Sequence, residues 1–290
     1  MTGETRTEEG VVLPQHAESA AHGISDAAAL ERAQGDELRI RSVGKIFEST
    51  RGSVEALRDV TLVVERGSFA ALVGPSGCGK STLLCIVSGI YPATAGTVLV
   101  GDDPVTGPRE DVGLIFQSPN LLPWRTVGRN VSLPLEVGKR ATKEAKREAR
   151  ARADQFLSMV GLFEFRDKLP HELSGGMQQR AGIVRALVQD PTILLMDEPF
   201  GAVDVLTREK LNFEIEALWE QTRKTIVFVT HSIQEAVFLA DVIYVFSPRP
   251  GTIIQTVKIE LDRPRERATI HTPEFFEYEE LVRAHVKETT

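Results

Sequence analysis

The 290-residue chain is poor in cysteine, tryptophan and tyrosine, with two, two and three of them. Two cysteines cannot staple a fold of this length. Cys78 and Cys85 lie seven positions apart around the start of one predicted helix, and they read as two reduced thiols rather than a disulfide or a metal pair. No run of about 18 apolar residues occurs, so no bilayer-spanning helix is expected. The N-terminal MTGETRTEEG is acidic and lacks the apolar stretch of a secretory signal. Positive charge is also scarce. There are 34 Lys and Arg against 41 Asp and Glu, a net charge of −7. Eight acids and two arginines in residues 1 to 37 account for −6 of that, which leaves −1 for the rest. A body so close to neutral has no electrostatic footprint for nucleic acid.

What is present suits a globular protein. Hydrophobic residues make up 42% and charged residues 26%, enough to bury a real core. Residues 1 to 36 carry few large apolar side chains and read as a flexible extension, with a short helix over Ala27 to Ala33. From Leu38 onward, apolar runs alternate with helical patterns. Phe69 to Val73, Val112 to Phe116, Thr192 to Met196, Thr225 to Val229 and Val242 to Phe246 are continuous apolar stretches. Such runs suit strands buried on both faces, which predicts an α/β layer around a mainly parallel sheet. A mostly helical segment, about 119–189, interrupts it. There Ala145, Ala149, Ala153, Phe156, Leu157 and Val160 recur at helical spacing. Its basic run at 146 to 152 reads as a solvated helix face.

Two segments carry chemistry. Gly74-Pro75-Ser76-Gly77-Cys78-Gly79-Lys80-Ser81 fits the pattern G-x-x-x-x-G-K-[ST] and lies between a predicted strand and a helix. Its glycines let backbone N–H groups wrap a phosphate, and the helix start adds partial positive charge. Lys80 is expected on the β- and γ-phosphates, Thr82 on the α-phosphate and the Ser81 hydroxyl on Mg²⁺. The second segment, Ile193 to Glu198, is an apolar strand that delivers two carboxylates at its end. Asp197 suits the Mg²⁺ shell. Glu198 suits a general base that polarises the attacking water.

These two motifs are shared by many nucleoside triphosphatases. The discriminating stretch is Leu173-Ser174-Gly175-Gly176-Met177-Gln178-Gln179-Arg180, a second glycine-rich turn leading into a helix. With it, the chain from about Leu38 to Gly251 resembles the ATP-binding-cassette (ABC) ATPases. That resemblance implies a RecA-like P-loop core with a mainly parallel sheet, an antiparallel β edge subdomain and an inserted α-helical subdomain. It implies an ATPase domain over 37–251 and a C-terminal strand and helix over 252–290. It also implies that two cassettes pair head to tail, each ATP lying between one chain's phosphate loop and the other's Ser174, Gly175 and Gly176. By position, Phe47 would stack on adenine and Gln117 would sense Mg²⁺ and the γ-phosphate. Asp204 would cross the dimer interface, and His231 would contact the γ-phosphate and hold the attacking water. Met177 departs from the family's usual glutamine, which removes one polar contact but leaves the Ser174 hydroxyl.

Softer features resemble the importers of nitrate, sulfonates and taurine: Phe116 to Trp124, Met177, and Ser247-Pro248-Arg249-Pro250-Gly251. Importers of glycine betaine, molybdate and pyrimidine precursors share several of these. The implied partners are a second cassette, transmembrane permease subunits and, indirectly, an extracytoplasmic solute-binding protein. The implied place is the inner face of the cell membrane. Leu121, Leu122 and Trp124 would line the groove for a permease helix. In the C-terminal part, Ile253 to Val257 reads as a strand, and Thr272-Pro273 reads as a cap and first turn. In the helix that follows, Phe275, Tyr278, Val282 and Val286 share a face that packs on the cassette.

Overall fold

The fold is that of a computed structural model, which describes residues 36–50, 52–137, 142–201 and 203–287. The expected helix over Ala27 to Ala33, and nearly all of the expected extension, lie outside those residues. Six strands form one sheet in the order β10-β9-β3-β8-β7-β6. Their spans are β3 Phe69–Val73, β6 Val112–Ile115, β7 Ile193–Asp197, β8 Thr225–Val229, β9 Val242–Phe246 and β10 Ile253–Lys258. All neighbours pair in parallel except β9 with β10.

Alternation along these strands makes two cores. Phe69, Ala71 and Val73 face one side with Met196, Ile226 and Phe228. Ala70, Leu72, Leu195, Val227 and Phe246 face the other. Every residue of β3 and β8 is buried, which is why their sequences are unbroken apolar runs. The first face is covered by α6 (Val205–Thr222), α7 (Ile233–Leu239) and α8 (Pro273–Lys287). The second is covered by α1 (Lys80–Val87) and by an antiparallel sheet. That sheet runs β2-β1-β4-β5, from β1 (Asp36–Ser49), β2 (Gly52–Glu65), β4 (Ala95–Val100) and β5 (Asp103–Pro104).

Between β6 and β7 come α2 (Val127–Val131), α3 (Leu133–Val137), α4 (Lys143–Met159) and α5 (Gly175–Leu187). They have a core of their own, which includes Val127, Val131, Ala153, Leu157, Leu173, Ala181 and Val184. Burying a side chain such as Leu157 contributes about 1.5–3 kcal/mol, enough to hold a charged helix like α4 on its neighbours.

The C-terminal segment is fastened to the main body. In α8, Phe275 and Val282 are fully buried, and Tyr278 and Val286 pack against the same core. The Phe275 amide donates to the Thr272 hydroxyl at 3.3 Å, so Thr272 does cap this helix. Just before it, buried Arg265 donates to the carbonyls of Val237, Phe238 and Ala240 at the end of α7. Burial pulls its pKa down to about 10. Arg263 bridges Glu216 and Asp241 and lies 3.9 Å from the Trp219 ring centroid.

Candidate active site

The turn from β3 into α1 forms a cradle. Gly74, Gly77 and Gly79 all have positive φ, at 148°, 74° and 112°. Gly79 is also pinned from behind. A Cβ there would lie 2.6 Å from Leu57 Cδ2 and 2.7 Å from the Ala56 carbonyl oxygen. Only glycine satisfies both demands. The front of the loop is open, since a Cβ on Gly77 would meet nothing within 4 Å. Lys80 is 4% exposed. Its ammonium donates to the Gly74 and Pro75 carbonyls at 2.9 and 2.8 Å and lies 3.5 Å from Cys78 Sγ. The lysine is thus stored against the loop that carries it. Cys78 is buried behind the loop, and burial pushes the Cys85 thiol up. Neither is in a disulfide.

A cleft of about 290 Å³ opens over this cradle. Ser76, Gly77, Gly79, Lys80, Ser81 and Thr82 form its floor, and Glu198 and His231 stand in its wall. Phe47, Val54, Ala56 and Arg249 close the remaining side. Phe47 lies opposite Val54 across β1 and β2. Its ring meets Tyr91 edge-on at 5.7 Å, with Lys45 Nζ 5.0 Å from its centroid. It remains 37% exposed, so part of the ring is open to the cleft.

The two acids of the apolar strand diverge. Asp197 ends β7 and accepts from the Ser81 hydroxyl at 2.8 Å. Burial raises its carboxyl, and the Ser81 bond opposes that shift. Glu198 then enters the left-handed region, with φ 45°. A non-glycine residue held there costs about 1–3 kcal/mol. That kink turns Glu198 out of the strand, and its Oε1 meets His231 Nε2 at 2.5 Å. A carboxylate and an imidazole joined this way form a pair that can orient and deprotonate water.

Other expected site residues lie elsewhere. Gln117 follows β6 and packs beside Gly201, where a Cβ would come within 2.9 Å of its Nε2. It does not line the cleft. Ser174 caps α5, accepting from the Met177 amide at 3.4 Å. Ser174 and Gly175 are exposed and Gly176 is buried. Asp204 caps α6 through the Thr207 amide at 3.1 Å, and hydrogen bonds from the Thr207 hydroxyl and then its amide hold the carboxyl below its usual value. Neither Ser174, Gly175, Gly176 nor Asp204 lines this chain's own cleft.

Behind the histidine lies a second layer that no sequence motif marks. Glu235 is 4% exposed and accepts from the Thr230 hydroxyl at 2.5 Å. Its other oxygen lies 3.6 Å from Arg208 Nε on α6. Burial raises its carboxyl, opposed by Thr230 and Arg208. The spacing Ser232-x-x-Glu235 suggests a capping box. Ser232 does cap α7, accepting from the Glu235 amide, while the Glu235 side chain turns to Thr230 instead.

Known proteins share this architecture. A family model for the ABC transporter matches residues 57–201. An uncharacterized ABC transporter ATP-binding protein of Methanocaldococcus jannaschii is 46% identical over 246 residues, covering 85% of this chain and 90% of that protein. The nitrate import ATP-binding protein of Synechocystis is 41% identical over 251 residues, covering 84% and 93%. The taurine import ATP-binding protein of Jannaschia is 44% identical over 217 residues, covering 74% and 80%. Among solved structures, the dimeric ATP-binding cassette MJ0796 in a post-hydrolysis state, bound to ADP and Pi, is 33% identical with a TM-score of 0.68. That match covers 78% of this chain and all of that one. The cradle, the carboxylate–imidazole pair and these relatives together establish that the chain belongs to the ABC transporter family and is an ATP-binding, ATP-hydrolysing subunit.

Proposed function

We propose that this chain drives an importer for a small oxyanion-type solute, of the class of nitrate, sulfonates or taurine. The observation that carries the catalytic half is the 2.5 Å contact between Glu198 and His231 at the edge of the phosphate cradle. The nitrate and taurine import relatives, at 41% and 44% identity, support the solute class.

In this reading Lys80 leaves the Gly74 and Pro75 carbonyls for the β- and γ-phosphates. The loop from Gly74 to Gly79 directs its amides at the same oxygens, and Thr82 meets the α-phosphate. Phe47 receives the adenine on the open part of its ring. Ser81 and Asp197 bring two hard oxygens together, and Mg²⁺ takes such ligands while keeping several waters. Ser81 and Asp197 therefore fit that ion, and Gln117, which follows β6 and lies outside the cleft here, would have to approach it from beyond the cleft. Bound there, the ion would supply charge neutralisation at the phosphates. Glu198 accepts the proton of the attacking water, and His231 holds that water and the γ-phosphate in place.

Ser174, Gly175, Gly176 and Asp204 lie outside this chain's cleft, and in this reading they serve the nucleotide of a second copy. Head-to-tail pairing gives both groups work, and hydrolysis then releases the pair. The half-buried Leu121 and Leu122, with Trp124 at 73% exposed, form the seat for a permease helix on the inner face of the membrane. No helix among the described residues is long and apolar enough to cross a membrane, and in this reading a permease supplies the pore. A solute-binding protein outside would deliver the solute. In this reading 37–251 is the ATPase domain, and the strand and helix that follow Gly251 are an addition to it.

Uptake of labelled nitrate, taurine and an alkanesulfonate, in cells lacking this chain and in complemented cells, tests the solute class. Loss of one of the three, restored by the wild-type chain but not by Glu198→Gln, is the expected result. Undisturbed uptake of all three would refute it.

A further inference from the structure

One cation in the cleft has no part in the scheme above. Arg249 stands at the tip of the turn between β9 and β10 and lines the same cleft as the phosphate loop. Its side chain is exposed. Among the described residues it makes no ion pair, in a chain whose arginines mostly have partners.

The turn that carries it is fixed on three sides. Ser247 Oγ donates toward the Pro248 and Pro250 carbonyls and accepts from the Thr252 amide. The Gly251 amide donates to the Ala56 carbonyl at 2.9 Å, and the Arg58 amide donates to the Gly251 carbonyl at 3.0 Å. Gly251 is also pressed on the cradle, since a Cβ there would lie 2.0 Å from the Cys78 carbonyl oxygen. The backbone on which Arg249 rides is therefore bolted to the nucleotide loop and to β2, while its side chain reaches into the cleft from a clamped turn.

The attachment to β2 sets the turn beside the strand that lines one flank of the cleft. Ala56 and Val54 line the cleft on that flank, and Val54 lies opposite Phe47. The phosphate end already has Lys80 and the start of α1. The flank with Phe47 has an aromatic ring, aliphatic wall and a guanidinium. A planar guanidinium stacks on aromatic faces and donates in its own plane to ring nitrogens and hydroxyls. We propose that Arg249 is a nucleotide-binding residue of this cassette that grips the base-and-sugar half of ATP across from Phe47.

The test is titration calorimetry of the full chain with ATP and with ADP, for the wild type, Arg249→Ala and Arg249→Lys. Arg249→Ala should weaken both nucleotides by the same factor, about ten-fold for a partly desolvated cation over a ring. The KM for ATP should rise in parallel, with kcat at saturating ATP changed by less than about two-fold, as for a contact made equally in ground and transition states. Arg249→Lys should resemble Arg249→Ala, because charge without the plane does not replace a stacked guanidinium. The melting temperature without nucleotide should be the same in all three. Unchanged affinity in Arg249→Ala would overturn the proposal. So would full recovery in Arg249→Lys, or a loss much larger for ATP than for ADP, since either result assigns the contact to phosphate.

Discussion

The loop before Lys80 and the turn before Gly175 are both glycine-rich and both lead into helices, yet they are built in opposite ways. The first has three glycines at positive φ, a lysine only 4% exposed and a back wall that rejects any Cβ at Gly79. The second uses ordinary conformations. Ser174 is exposed and caps its own helix, and a Cβ on Gly175 would meet nothing within 4 Å. Glycine at Gly79 is required by the fold of this chain. Nothing among the described residues of this chain requires glycine at Gly175. A complete anion site needs backbone wrapped around it, whereas an open helix start with spare room is half of a site.

Substitutions at these two helix starts, and at the Glu198–His231 pair proposed for catalysis beside the first, sharpen or break that contrast. The largest effect is expected on the side of the cradle. Glu198→Gln should lower phosphate release by about 10²–10⁴ while ATP affinity by calorimetry persists. Undiminished turnover would remove Glu198 from the base role. At the open turn, Ser174→Arg should lower hydrolysis by about 10²-fold, the scale for losing one donor to developing charge. The affinity of dilute chain for ATP should stay as in the wild type. A matching loss of affinity would place Ser174 in its own chain's cleft.

The next pair reads the fold itself. Gly79→Ala must displace Leu57 or the Ala56 carbonyl and should cost about 1–3 kcal/mol in urea unfolding. Gly175→Ala should stay within about 0.5 kcal/mol of wild type. Equal costs would show that the open turn is packed after all.

The smallest effect concerns the layer behind His231. Burial raises the Glu235 carboxyl above its ordinary value of 4.5. Below that value Glu235 is protonated whether the chain is folded or unfolded, so the group is neutral to stability. As pH rises through the raised native value, the folded state bears a buried charge and stability falls. Glu235→Gln should therefore raise the melting temperature by about 2 °C at pH 8, and the gain should fade on acidification. A gain that grew toward low pH would contradict this sign.

Much of the fold is legible in the sequence, for a physical reason. Strands buried on both faces must be apolar throughout, so β3, β8 and β9 stand out with both ends correct, at Phe69–Val73, Thr225–Val229 and Val242–Phe246. Edges are less legible. The run expected to continue to Phe116 stops at Ile115, because Phe116 is 38% exposed and begins the loop to Pro119. The strand expected over Thr192 to Met196 shifts by one residue to end at Asp197.

The cradle is legible because its glycines and lysine are contiguous. Glu198 and His231 are 33 positions apart, and only the parallel pairing of β7 with β8 brings them together. Arg208 and Glu235 have tertiary roles, and no local pattern marks an arginine on one helix that approaches an acid on another. Arg249 belongs to a stretch that resembles the importers, yet the sequence assigns it no role. Its place depends on the Gly251 contacts with Ala56 and Cys78, which sequence spacing does not encode.

The most direct measurement mixes two disabled chains. Lys80→Ala has a dead cradle and an intact serine–glycine turn, and Ser174→Arg has the reverse. If each nucleotide lies between one chain's cradle and the other's turn, a mixture of the two regains ATP hydrolysis that neither shows alone. A mixture as inactive as its components, with both chains folded, would contradict the shared site.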